Sequence, residues 1–146
     1  MSTVRIVIFL KRFNVKIVYA ILRYSIKSKG DVDSFLAEEH ASPINVDSGT
    51  LGLGCNMSLN KRINSHSLNG EKLVGLKLPH WTALKANIKN THKNHFNQKR
   101  LLGWDVAIIP DKSIIIELNG WLEHDDPEKI YDHSLSAFPE YELLAS

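Results

Sequence analysis

The chain opens on an alternation. Val4, Ile6 and Ile8 interleave with Arg5, Val7 and Phe9, the polar cluster Lys11-Arg12-Phe13-Asn14 interrupts, and a second apolar run covers residues 15–26. A period of two in β-branched residues on either side of a polar turn predicts a β-hairpin. A second hairpin is predicted within GWDVAIIPDKSIIIELNG, Gly103 to Gly120, where apolar runs 104–109 and 114–118 flank Pro110-Asp111-Lys112-Ser113. Between the hairpins the period changes: Trp81, Leu84, Ile88 and, less regularly, Phe96 recur at helical spacing behind Pro79, a residue suited to a first turn. That predicts a helix packing Trp81, Leu84 and Ile88 on the sheet. Residues 27–54 read as loop-rich, with one small strand at 42–46 ending in an Asp47-Ser48-Gly49 turn. A short helix is expected around residues 127–135, capped by Asp125 or Asp126. The fold class that follows is α+β, an antiparallel β-sheet of hairpins with one or two packed helices.

Polar residues inside apolar runs carry the chemistry. In the second hairpin these are Asp105, Glu117 and Asn119. Burying a carboxylate costs roughly several kcal/mol unless a cation or donors compensate it, so something positive should sit beside them. Alternation puts Glu117 and Asn119 on one face, together with Ile115. Asp105 joins them, directly opposite Glu117, if the turn has three residues, Pro110-Asp111-Lys112; a two-residue turn on Asp111-Lys112 would set Asp105 opposite Leu118 on the other face. The odd-length turn is therefore the expectation. Two carboxylates and an amide oxygen on one point make an all-oxygen set, which suits Mg²⁺ or Mn²⁺ with substrate phosphates completing the shell, whereas zinc would want His or Cys. The competing account is that these are turn formers and caps at strand ends, with Glu117 half-solvated on an edge strand.

In the first hairpin the intruders are Arg5 and Arg23. Either they snorkel or pair with an acid, or their guanidinium forks reach triphosphate oxygens. Lys85, Lys89 and Lys93 stand at i, i+4 and i+8 on the expected helix, with His92 and His95 close by, giving it a basic face. Such a ridge is ordinarily a solvated face, and exposed aromatics that would mark a nucleic-acid surface are not evident beside it.

Composition narrows the setting. The 146 residues make one domain or part of one, and 43% hydrophobic with 23% charged residues is ordinary for a globular chain. Cys55 is the single cysteine, which excludes an intramolecular disulfide; a buried thiol in a reducing, cytoplasmic compartment is expected. The net charge of +2 hides an asymmetry. Seven Lys or Arg and no acid precede Asp31, while eight acids and one Lys lie from Glu117 onward. An anionic ligand would be drawn to the N-terminal part. Lys11, Arg12, Lys16 and Arg23 break up the only stretch that could have spanned a bilayer.

The order aromatic-Asp, apolar strand, short turn, apolar strand, Glu-x-Asn resembles the closing motif of ATP-grasp ligases. The fuller wording Gly103-Trp104-Asp105-Val106-Ala107-Ile108 with Ile116-Glu117-Leu118-Asn119 is similar to the sugar-transfer-associated ATP-grasp family. Thr3-Val4-Arg5 and Ile21-Leu22-Arg23 resemble that family's Asn-Thr-x-Arg segment and its apolar-apolar-Arg strand end, and weaker likeness runs through Val32-Asp33, Phe35, Ile44, Val46-Asp47 and the segment from His66 to Trp81. The resemblance implies a C-terminal ATP-grasp subdomain over residues 1–122, followed by an acidic tail, 123–146. It implies ATP and Mg²⁺, with Mn²⁺ an alternative, held by Asp105, Glu117 and Asn119, and with Arg5 and Arg23 as catalytic and nucleotide-binding cations on the phosphates. The chemistry would be carboxylate activation through an acyl-phosphate, linked to sugar transfer or cell-surface polysaccharide assembly. His66 and Lys72 would be substrate-side contacts. The adenine-pocket half of such a fold would lie upstream, so a second chain supplying it is an expected partner and nucleic acid is not.

Two departures point the other way. Ser34 stands for an Asn of the pattern, and Glu38-Glu39 for paired glycines, where two carboxylates would repel phosphate. The alternatives are therefore a degenerate ATP-grasp fragment without turnover, or a basic polyanion-binding module using Lys85, Lys89 and Lys93.

Overall fold

The computed structural model describes residues 2–26, 38–57, 61–63 and 72–120. Strands β1 (Thr3–Lys11), β2 (Asn14–Ile26), β3 (Glu38–Ile44), β4 (Gly54–Asn56), β5 (Lys61–Ile63), β6 (Leu101–Ile109) and β7 (Lys112–Asn119) form one sheet, and helix α1 (Trp81–His95) connects the β5 side of the chain to β6. The sheet order is β5-β4-β3-β2-β1-β6-β7, with every neighbouring pair antiparallel. Both expected hairpins are present as β1-β2 and β6-β7, and the fold class is α+β, as the patterning implies.

Burial divides the sheet into two faces. On one, Val4, Ile6 and Ile8 of β1 join Leu22 and Tyr24 of β2, Ile44 of β3, and Leu102, Trp104 and Val106 of β6 in a core closed by Trp81, Leu84 and Ile88 of α1. Each of those helix side chains is at most 3% exposed, a burial contributing about 1.5–3 kcal/mol apiece. On the other face Val7, Tyr19, Ile21 and Ala41 form a smaller apolar cluster. Arg5 and Asp105 lie on this second face, away from the helix, because they alternate with Val4, Ile6, Trp104 and Val106.

The middle of the chain is more ordered than its composition suggests. The expected short strand at 42–46 is replaced by β3, which begins at Glu38 and runs along β2 from Ile26↔Glu38 to Ala20↔Ile44. The β4-β5 pair was not legible at all, since three-residue strands carry no period. The Asp47-Ser48-Gly49 turn is present. Asn45 organises it by accepting the backbone N–H groups of Asp47 and Ser48 on Oδ1, at 3.0 and 2.9 Å. Gly49 follows at φ 78°, and a Cβ there would meet the Trp81 ring at 2.5 Å. The turn thus seats α1 on the sheet, with the Trp81 indole N–H donating to the Val46 carbonyl at 2.9 Å.

The helix starts two residues after Pro79. His80 occupies the cap position at φ 58° without a side-chain cap, and its Nε2 donates to the Pro110 carbonyl at 3.0 Å, joining the helix start to the β6-β7 turn. Cys55 is buried and free, as expected. The expected helix at 127–135 lies outside the described residues. Among the described residues no helix is long and apolar enough to cross a membrane.

Candidate functional site

The expected cation beside Asp105 is Arg5. Strands β1 and β6 pair with Arg5 directly across from Asp105, and the guanidinium fork closes on the carboxylate, Nε to Oδ1 and Nη2 to Oδ2, both at 2.8 Å. The side chains are 11% and 13% exposed, so the pair is largely withdrawn from water. Asn119 adds a third donor, its Nδ2 to Asp105 Oδ2 at 3.0 Å. These donors take three of the roughly four lone-pair sites of a carboxylate and leave one, on Oδ1.

Glu117 stands directly opposite Asp105, but not for the reason expected. The turn is two residues, Pro110-Asp111, closed by Ile109↔Lys112, and not the three-residue turn Pro110-Asp111-Lys112. From there the ladder runs regularly to Val106↔Ile115 and then shifts, so that Asp105 pairs with Glu117 and Ile116 is the extra residue of a β-bulge. The bulge supplies the one-residue offset that the turn was expected to supply. It also overturns the placement of Ile115, which faces Val106 rather than sharing the face of Glu117 and Asn119. A bulge has no strong signature in Ile-Ile-Ile, which is why the sequence pointed to the turn instead.

Arg23 completes the group. It pairs with Thr3, two residues along β1 from Arg5, while Ile21 pairs with Arg5, so Arg23 shares the face of Arg5 and Asp105 in half-buried surroundings. All five expected site residues therefore fall on one face of adjacent strands β2, β1, β6 and β7. Three of them, Arg5, Asp105 and Asn119, are joined by hydrogen bonds. Glu117 is exposed. Among the described residues no three His, Cys, Asp or Glu side chains cluster as metal ligands. A cation here would rest on two carboxylates, the Asn119 carbonyl oxygen, which is not the atom spent on Asp105, and oxygens brought by a ligand. That donor chemistry fits Mg²⁺.

Residues elsewhere are placed differently from their expected roles. His92 does not belong to the basic face of α1: it is fully buried, its Nε2 donating to the Lys99 carbonyl at 2.8 Å and its Nδ1 accepting from the Trp104 indole N–H at 3.4 Å. Burial holds its pKa below the ordinary histidine value, against a smaller opposing effect of the Lys99 hydrogen bond. It braces the residue next to Asp105 from behind the sheet. Its place one turn after Ile88 on the apolar stripe was the signal that could have found it. Lys85 is tied back onto the protein, donating to the Asp47 carbonyl at 3.1 Å with its ammonium 5.9 Å from the Trp81 ring. The Lys85-Lys89-Lys93 row is thus not a uniform free ridge. Glu38 and Glu39 pair along the backbone with Ile26 and Ser25 at the far end of β2 from its turn. His66 lies outside the described residues, and Lys72 is exposed.

Searches of curated proteins and of solved structures return no match. The model of one family does match, that of the sugar-transfer associated ATP-grasp proteins, over residues 1–125. The match spans β1 to β7 and every residue of the Arg5-Arg23-Asp105-Glu117-Asn119 face, and the chain belongs to the sugar-transfer associated ATP-grasp family.

Proposed function

We propose that the face carrying Arg5, Arg23, Asp105, Glu117 and Asn119 binds the phosphates of ATP with Mg²⁺ and serves an ATP-grasp ligase that activates a carboxylate as an acyl-phosphate. The single observation behind this is the bulge-set register that puts Glu117 across from Asp105, with Asn119 hydrogen-bonded to the same carboxylate. The Asp105 carboxylate, nearly sealed from water in the middle of a strand, is the member of this group that burial alone does not favour.

Asp105, Glu117 and Asn119 would hold the metal, which when bound neutralises phosphate charge and aligns the reacting oxygens. The protein's own residues do the rest. Arg5 fixes the Asp105 carboxylate in one orientation through its two-pronged contact. Arg23, two residues along the same face, brings a second guanidinium toward charge developing on the transferred phosphoryl group. The acyl-phosphate would then be captured by an amine or similar nucleophile, and the family's association points to sugar transfer and polysaccharide assembly. Residues 1–122 would be the catalytic subdomain.

The test is binding of ATP to the purified chain with and without Mg²⁺, by calorimetry. Magnesium-dependent binding that is lost in Glu117→Ala and kept in Lys89→Ala is the expected result. Equal binding by wild type and Glu117→Ala would overturn the site.

A further inference from the structure

The β1-β2 turn has the wrong residues for a turn. Lys11 pairs with Asn14, so the loop is the two residues Arg12-Phe13. Two-residue hairpin loops favour Gly and Asn because they demand positive φ. Here Arg12 is held at φ 56°, an unfavourable region for a side chain of its size, and Phe13 projects with 88% of its surface exposed, the most exposed large apolar side chain of the described residues. Neither residue is buried against the rest of the protein.

What surrounds Phe13 is cationic. Lys11, Arg12 and Lys16 flank it on the hairpin, all exposed. The antiparallel ladder brings the start of β6 to the same end of the sheet: Phe9 pairs with Leu101, and the Leu10 N–H donates to the Arg100 carbonyl at 2.7 Å. Lys99 and Arg100 therefore stand beside the hairpin end, both exposed, with the Arg100 guanidinium 5.7 Å from the Phe9 ring. The acids of the described residues lie elsewhere. Glu38 and Glu39 are at the far end of β2, Asp111 is in the turn at the far end of β6, Asp105 and Glu117 are within the sheet, and Asp47 is beside the first turns of α1.

We infer that this end of the sheet is a membrane-docking tip, with Phe13 entering the interface of an anionic lipid surface and Lys11, Arg12, Lys16, Lys99 and Arg100 meeting its headgroups. One protruding aromatic among cations is the arrangement of an interfacial anchor, in which an apolar side chain and electrostatic attraction each supply part of the affinity. A single-stranded nucleic acid would instead call for several aromatics in a row to stack successive bases, and among the described residues Phe13 is the one exposed aromatic at this end of the sheet. The tip stands at the opposite end of β1 from Thr3 and Arg23, so docking leaves the Arg5-Asp105 face accessible.

The experiment is co-sedimentation of the full chain with vesicles of phosphatidylcholine alone and of phosphatidylcholine containing about 30% phosphatidylserine. Binding to the anionic vesicles only is expected, weakened roughly tenfold by Phe13→Ala and about fivefold by Arg12→Ala, and largely retained by Phe13→Trp. Phe13 is too exposed for its replacement to unfold the protein, and circular dichroism of each variant checks this. Absence of anionic binding, or binding indifferent to Phe13→Ala, overturns the inference. Tighter and Phe13-dependent binding to a single-stranded oligonucleotide than to the anionic vesicles overturns it in favour of nucleic acid.

Discussion

Arg5 and Asp105 face each other across β1 and β6 and close a two-pronged ion pair, 2.8 Å on each prong, in surroundings nearly sealed from water. A pair so placed is asymmetric in its energetics. The intact pair adds little net stability over a well-packed apolar pair, because both ions were desolvated to form it, whereas removal of one partner strands the other. Arg5→Met should therefore destabilise the fold by about 3–5 kcal/mol in urea unfolding, and Arg5→Met with Asp105→Leu should recover most of that loss. A double variant no more stable than the single would show that Arg5 matters for something other than its partner.

The bulge at Ile116 makes a sharper prediction about register. Ile116 is the only residue of β7 without a partner on β6, so its deletion should close the ladder with Asp105 still opposite Glu117. Because residues 114–116 are all isoleucine, removing any one of them gives the same shortened chain, so the deletion tests the count of residues alone. Cross-strand NMR contacts between residues 105 and 117 report whether that register is kept. Their loss on deleting Ile116 would mean that the bulge is held by something beyond the count of residues.

The bulge also marks where the sequence stopped being legible. Alternation identified both hairpins and set Arg5 on the face opposite Val4, Ile6 and Ile8, because strand period is written directly in Val, Ile and Leu positions. The pairing of Asp105 with Glu117 was expected only through a three-residue turn, which the register replaces with a two-residue turn and a bulge. The device that produces the pairing was not visible, since three successive isoleucines look alike whether one is bulged or none. The opposing strand's partner was hidden for another reason. Arg5 and Asp105 are a hundred positions apart, and only the sheet order β2-β1-β6 brings them together. His92 was misread because histidine on a helix rich in lysine looks solvated until the depth of the Trp104 ring is known.

Gly49 should tolerate no side chain. Its φ of 78° disfavours any L residue, and a Cβ would lie 2.5–2.8 Å from three atoms of Trp81, which is itself buried under the sheet and cannot retreat. Gly49→Ala is expected to cost about 2–4 kcal/mol by adding overpacking to backbone strain, seen as a lowered Tm with loss of near-ultraviolet signal from Trp81. Gly75, also at positive φ but with open space where its Cβ would be, is the control: Gly75→Ala should cost only the strain, about 1 kcal/mol. Equal losses at both positions would remove Trp81 from the explanation.

The last prediction concerns acid. His92 is neutral in the fold, with its proton on Nε2 for Lys99 and its Nδ1 lone pair spent on Trp104. Burial lowers its pKa, so the unfolded chain, with a histidine near 6.5, takes up the proton before the folded chain does. The stabilising effect of neutral His92 is thus full above about pH 6.5 and is lost as pH falls through and below that value. Protonation would also turn Nδ1 into a donor aimed at another donor, loosening Trp104, the neighbour of Asp105. Thermal unfolding from pH 8 to pH 5 should show wild type losing stability over this window more steeply than His92→Gln, whose amide can still meet Lys99 but does not titrate. The two curves should converge toward the acid end, because there the wild type loses the advantage that a neutral His92 gives it. Parallel curves would mean that other groups govern the acid limb and that His92 only packs.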